Sequence, residues 1–145
     1  MLWFTKDKRA RMTHRYKERA LYVDLLQRDL ALPTQVRDNT LLARRGVDAA
    51  DADPHEFATL FGEPMPEHLR IAVHLETDLW VAIHTTLDGA RNAKLAPQEY
   101  QRLVPNLRRE LETLQKLLAL QAEIMYSPLS KHFTEQLTLL RAVRA

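Results

Sequence analysis

The sequence predicts an all-α protein with the architecture of an irregular helical bundle, and three observations support this prediction. Apolar residues recur at steps of three and four over most of the chain, which is the period of an amphipathic helix. Glycine is scarce, with 3 in 145 residues, which disfavours hairpin-rich β folds and glycine-rich phosphate loops. No segment shows the period-two alternation of a half-buried strand. We therefore expect one helical domain over residues 1–145, with three long helices, a C-terminal helix and one or two short helices.

The first long helix is predicted over residues 6–32, because proline at position 33 cannot continue it. Its apolar stripe is Met12, Tyr16, Ala20, Val23, Leu26 and Leu30. The first half of this helix belongs to a basic arm, residues 1–20. We expect this arm to project along or beyond the bundle as an extended basic N-terminal helix, with its cations available.

Short helices are predicted in the next part of the chain. Thr34 is a plausible N-cap for one of them, and Gly46 stands where a C-terminal glycine cap belongs. Residues 47–53 are small and acidic, which favours an exposed connection. The run from Asp53 to Glu56 predicts a new helix start, since it combines an aspartate cap, a proline at the first helical position and a glutamate three residues after the cap.

Longer helices follow, with a second long one predicted over residues 67–88 and a loop over 88–96. Pro97 restarts a helix and Pro105 interrupts or kinks it. Beyond that proline, a heptad-like seam marks the third long helix. The seam is Val104, Leu107, Leu111, Leu114 and Leu118. Ser127 and Pro128 predict the break before the C-terminal helix, which carries Leu129, Phe133, Leu137, Leu140 and Val143.

Charge is unevenly distributed along the chain. The net charge is +2, but residues 1–20 hold seven basic and two acidic residues, and residues 48–79 hold one basic and eight acidic residues. Two interpretations are open. The two blocks face each other within one fold or across two copies, or the basic arm contacts an external polyanion.

Several classes of function lack their residues in this sequence. There is no cysteine, no His-Glu-x-x-His, and no glutamate three positions before any of the six histidines. No nucleophile-elbow serine motif and no phosphate-binding loop occur either. We therefore predict no catalytic residue, metal ligand or cofactor, and a protein that is not an enzyme.

The N-terminal region holds the candidate partner-binding residues, because aromatic anchors stand there beside a basic helix. These residues are Trp3, Phe4, Lys8, Arg9, Arg11, Arg15, Tyr16, Lys17 and Arg19. The expected function is that of a structural or adaptor protein, an accessory subunit that binds the protein subunits of a larger assembly. One alternative is a component of a ribonucleoprotein that contacts RNA through the basic helix. A second alternative is a bundle that binds a small ligand.

The sequence also bears on location. No uncharged apolar run approaches the ~18 residues of a transmembrane helix. Trp3 and Phe4 precede the basic stretch, which is the reverse of the order in a secretory signal. We expect an intracellular protein of the cytoplasm or an organelle interior such as the mitochondrial one, not a secreted one. Peripheral membrane contact is a further option.

Overall fold

The computed structural model describes residues 6–125 and 137–142, and these residues form helices and no strand. The all-α helical bundle is therefore confirmed. Its elements are α1 (Lys6–Asp29), a 3₁₀ turn (Pro33–Gln35), α2 (Val36–Phe61), α3 (Glu67–Ala93), α4 (Pro97–Gln101) and α5 (Val104–Ile124). Residues 137–142 are also helical.

The four long helices pack around one core. Helix α2 packs against α3 and α1, and α5 packs against both α1 and α3. Helices α1 and α2 form an antiparallel hairpin. Arg15 near the start of α1 bonds to Ala49 in the second half of α2, whereas Asn39 near the start of α2 bonds to Asp29 at the end of α1.

The predicted apolar stripes form this core. In α1, every member of the predicted stripe is buried except Ala20, which lies at its half-buried edge. All five residues of the α5 seam are buried, and Leu107, Leu111 and Leu114 are fully so. Trp80 from α3 is the largest side chain in the interior.

The prediction for the second helix is wrong in a specific way. The single helix α2 contains the predicted C-terminal cap, Gly46, and the predicted connection over residues 47–53. It also contains Pro54, which was predicted to start a new helix. Asp53 caps no helix, because it lies inside α2, where its buried side chain binds Arg15 and Arg19. Pro54 has no N–H to donate to the carbonyl of Ala50, four residues back. In the same turn, the Arg15 guanidinium donates to the carbonyl of Ala49 at 3.0 Å.

The later boundaries are closer to expectation. Helix α3 runs five residues past the predicted end at 88, through Gly89, and ends at Ala93. Helix α4 starts at Pro97 as predicted, and α5 carries Pro105 in its first turn. The predicted break at residues 127–128 lies outside the described residues. Leu137 and Leu140 of the predicted C-terminal helix are helical and buried.

Candidate functional site

A cluster of charged side chains lies in the middle of the bundle, and Arg19 is its centre. This arginine is 1% exposed, and its guanidinium forms two bidentate pairs. It donates to the Glu76 carboxylate from Nε at 2.6 Å and from Nη2 at 2.9 Å. It donates to the Asp53 carboxylate from Nη1 at 3.1 Å and from Nη2 at 2.5 Å. Four of the five guanidinium N–H groups are thus used.

Glu76 is equally well satisfied. In addition to Arg19, its carboxylate accepts the indole N–H of Trp80 and the amide N–H of Gln121, each at 2.9 Å. Each oxygen therefore accepts two hydrogen bonds. A carboxylate held this way has no oxygen left for a substrate proton, so the geometry favours a structural role for it.

Arg15 joins the cluster from its solvent side. Its Nε donates to Asp53 at 2.8 Å, and a quarter of its side chain remains exposed. The cluster thus holds two arginines and two carboxylates, and its formal charge is balanced. Burial alone would lower the pKa of Arg19, but Glu76 and Asp53 raise it above its ordinary value, so this guanidinium stays charged.

Tyr16 borders the cluster. The centre of the Arg19 guanidinium lies 5.2 Å from the centroid of the Tyr16 ring, within cation–π range. Its hydroxyl is buried and has no hydrogen-bond partner among the described residues. Burial first, and then the nearby Asp53 carboxylate, raise the pKa of Tyr16 well above its ordinary value.

The expectation that the cations of the basic arm are available is therefore wrong at Arg19, and Tyr16 is also inaccessible, because both side chains are buried. For Arg15 and Arg19, the charge asymmetry between the two sequence blocks is resolved by ion pairs within the fold. Sequence reasoning missed Asp53 and Glu76 as their partners, and Gln121 as a further donor to Glu76. A signal exists in hindsight: Glu76 occupies the stripe position between Val73 and Trp80, where an apolar residue is expected.

The other predicted site residues have different surroundings. Lys8 and Arg9 are half-buried, and the Lys8 Nζ atom lies 5.9 Å from the centroid of the Phe61 ring. Arg11 and Lys17 are exposed. Trp3 and Phe4 lie outside the described residues. Binding of a partner by any of these side chains stays a prediction.

The exposed charged side chains described on α1 are balanced in number. Three cations and three acids are exposed among the side chains that the structure describes on this helix. They are Arg11, Lys17 and Arg28, and Asp7, Glu18 and Asp24. Leu21 lies among them and is 53% exposed. The pairing of Arg15 and Arg19 within the fold thus leaves equal numbers of cations and acids among the exposed side chains described on this helix, with Lys8 and Arg9 half-buried beside them.

A groove of about 430 Å³ opens where the first half of α1 meets the second half of α2. Its apolar lining comes from Ala10 and Leu60. Its polar lining consists of Arg11, His14, Arg15 and Glu56. The groove can therefore accept an apolar side chain from outside, with Arg11 beside it as the cation that is not held by a buried carboxylate.

Neither a metal site nor a membrane span is found in the described part of the chain. No three histidine, aspartate or glutamate side chains are grouped there to hold a metal ion. None of the helices there is long and apolar enough to cross a bilayer.

Comparison with protein-family models, with curated proteins and with solved structures found no match to this chain. The function is therefore inferred from the site alone.

Proposed function

We propose that this protein is a non-enzymatic adaptor, an accessory subunit that docks onto another protein of a larger assembly through the first half of α1. The observation that carries the proposal is the groove between α1 and α2, with apolar Ala10 and Leu60 beside the exposed cation Arg11. Arg15 is held by Asp53 and Glu56 also lines the groove, so Arg11 is the cation that meets a partner's carboxylate. This chemistry is complementary to an amphipathic helix that inserts one apolar side chain and places a carboxylate at Arg11. Such a helix, from another protein subunit, is the proposed partner.

The composition of the α1 surface favours a protein over a nucleic acid as that partner. Nucleic-acid binding depends on a surplus of exposed cations that displace counterions from phosphates. The exposed acids of α1, such as Glu18 and Asp24, offset its exposed cations.

The non-enzymatic part of the proposal is supported by the buried cluster. Asp53 and Glu76 are the buried carboxylates of the described residues, and arginine donors hold both of them. A binding protein needs rigid helices that hold its docking surface, and the cluster fixes α1 against α2 and α3. Placement inside the cell, in the cytoplasm or an organelle interior, is part of the same proposal because the chain has no cysteine.

The experiment uses the absence of cysteine, since one introduced cysteine gives one attachment point for a crosslinker. Tagged Ala10→Cys protein is expressed in its native cells, crosslinked, treated with RNase and purified, and the attached peptide is sequenced by mass spectrometry. Ala119→Cys is the matched control, because Ala119 is exposed on α5 and does not line the groove. We expect an acidic, helical peptide from a recurring partner at position 10 and not at position 119.

Charge reversal supplies the second arm. Ala10→Glu places a carboxylate at the groove and should abolish co-purification of that partner, whereas Ala119→Glu should leave it intact. Loss of the partner on RNase treatment would instead support the RNA-contacting alternative. Equal retention by both glutamate variants, or recovery of the protein alone, would overturn the proposal.

A further inference from the structure

A second cleft lies at the opposite end of the α1–α2 hairpin, between the first turn of α2 and the last turn of α3. Its volume is about 260 Å³. Residues that line it include Arg37 from α2, Arg91 and Lys94 from the end of α3, and Tyr100 from α4. Tyr100 is fixed from behind, because its buried hydroxyl donates to the carbonyl of Leu30 at 2.6 Å. The cleft thus has an anchored wall.

The charge of this cleft is of one sign. Three cations line it, Arg37, Arg91 and Lys94, and no carboxylate is among its lining residues. None of these three side chains forms an ion pair within residues 6–125 and 137–142. By contrast, Arg15 and Arg19 are satisfied by carboxylates of the same chain. The cleft therefore concentrates positive charge that the fold itself does not neutralise.

The position of Arg37 strengthens this point. Arg37 is the second residue of α2, a helix of 26 residues. The start of a helix is the positive end of its dipole, where a cation is unfavourable and an anion is favourable. Arg91 and Lys94, in contrast, lie at the end of α3, where cations are ordinary. Although Asp38 follows it in the same turn, Arg37 itself opposes the local rule and lines the same cleft as two further cations, which favours a ligand of opposite charge.

Lys94 breaks a second local rule. Its backbone has φ 51° and ψ 51°, and it is the only non-glycine residue with positive φ in the described part of the chain. Glycine is the usual residue at such a helix end. Its backbone N–H already bonds the carbonyls of Ala90 and Arg91, so capping does not require the lysine side chain. A lysine thus stands where glycine would be less strained, and its side chain lines the cleft.

We propose that this cleft binds a compact phosphate-bearing small molecule, such as a phosphate monoester or a diphosphate. A phosphate monoester carries nearly two negative charges at neutral pH, whereas a carboxylate carries one, so phosphate offsets more of the charge of the three cations. Arginine guanidinium groups match the oxygens of a phosphate in bidentate fashion, and lysine adds a point charge. The small volume favours a compact ligand over a polymer.

Isothermal titration calorimetry of the full chain with inorganic pyrophosphate tests this proposal. Arg91→Ala combined with Lys94→Ala removes two of the three cations. The matched control combines Arg70→Ala with Lys116→Ala, which removes the same charges from exposed positions on α3 and α5 outside the cleft. Circular-dichroism melting verifies that both double variants are folded. Arg37→Glu provides a charge reversal at the third position.

We expect pyrophosphate binding that weakens at least tenfold in the cleft double variant, is abolished by Arg37→Glu, and changes less than twofold in the control. Equal weakening in the control would overturn the proposal, because it would indicate diffuse attraction by net charge. Absence of pyrophosphate binding to the unaltered protein would also overturn it. A parallel titration with an oligoribonucleotide that lacks terminal phosphates distinguishes the source of the phosphate. Binding of the oligonucleotide without binding of pyrophosphate would assign the cleft to nucleic acid instead.

Discussion

Arg19 on α1 and Glu76 on α3 are 57 positions apart in sequence and form a bidentate ion pair with no access to solvent. The pair belongs to a layer to which each long helix contributes one polar residue. The layer is Arg19, Asp53, Glu76 and Gln121. Each member occupies a stripe position that is apolar elsewhere in its helix. Such a layer tolerates only one register of the helices, because any shift leaves a buried charge unpaired, and we infer that it specifies this packing.

Arg19→Met should therefore be strongly destabilising. The substitution keeps an unbranched side chain but leaves the carboxylates of Asp53 and Glu76 buried without their main partner. Breaking a buried ion pair by removing one partner costs about 3–5 kcal/mol. Urea unfolding, monitored by circular dichroism, measures the free energy of unfolding.

Lys17→Met is the control for that measurement, because Lys17 is exposed two positions earlier on the same helix. Its effect should stay within about 0.5 kcal/mol of zero. Similar values for the two variants would mean that the Arg19 cluster contributes little to the stability of the fold.

The sequence allowed the α-helical class and the core stripes to be predicted, because burial imposes the 3.6-residue period directly. It misled at α2, where Gly46 and Pro54 are both local signals for helix ends. These signals were overridden by tertiary packing: Trp80 needs the space at Gly46, and Asp53 needs to reach Arg19. Local propensity gives no information about a partner that is distant in sequence.

The same limit applied to the candidate site. The contrast between the basic arm and the acidic block left two interpretations open. The one in which the two blocks face each other within the fold is correct for Arg15 and Arg19. Which carboxylates would meet them depends on helix rotation within the bundle, and residue spacing in a single helix does not determine that rotation. The cationic cleft was not foreseen, since its cations come from Arg37 and from Arg91 and Lys94, more than fifty positions later in the chain.

Tyr16→Phe should reduce the loss of folding stability that the protein undergoes at alkaline pH. The folded-state pKa of Tyr16 is raised by burial, so folding disfavours its ionised form. Below about pH 10 the hydroxyl is neutral in both states and causes no pH dependence. As the pH rises above that value, the unfolded chain loses the proton first, and the folded state loses stability relative to it.

The free energy of unfolding of Tyr16→Phe should thus fall less steeply than that of the unaltered protein between about pH 10 and pH 11. At neutral pH the variant should be as stable or more stable by up to about 1 kcal/mol, because the buried hydroxyl lacks a partner among the described residues. Parallel slopes for the two proteins would show that Tyr16 ionises as readily in the fold as outside it.

Leu114→Ala tests whether the α5 seam is the centre of the core. Leu114 is completely buried, so its truncation should cost about 2–5 kcal/mol through lost burial and the resulting cavity. Lys116→Ala, at an exposed position of the same helix, should change the free energy of unfolding by less than about 0.5 kcal/mol. If Leu114→Ala also lowers the free energy of unfolding by less than about 0.5 kcal/mol, the seam lies at an interface with a partner and not in the core of the monomer.

The two helical glycines of α2 and α3 should respond to alanine with opposite signs. At an ordinary helix position this substitution stabilises by about 0.5–1 kcal/mol, because it reduces the conformational entropy of the unfolded chain. Gly89 on α3 is exposed, and a β carbon there meets nothing within 4 Å, so Gly89→Ala should give that gain.

Gly46 on α2 lies against the indole of Trp80, and a β carbon there would stand 2.3 Å from two ring atoms. Gly46→Ala must therefore displace Trp80 and disturb its hydrogen bond to Glu76, at an expected cost of about 1–3 kcal/mol or more. Thermal and urea unfolding of both variants measure the signs, and a stabilising Gly46→Ala would mean that α2 and α3 do not approach each other at this point.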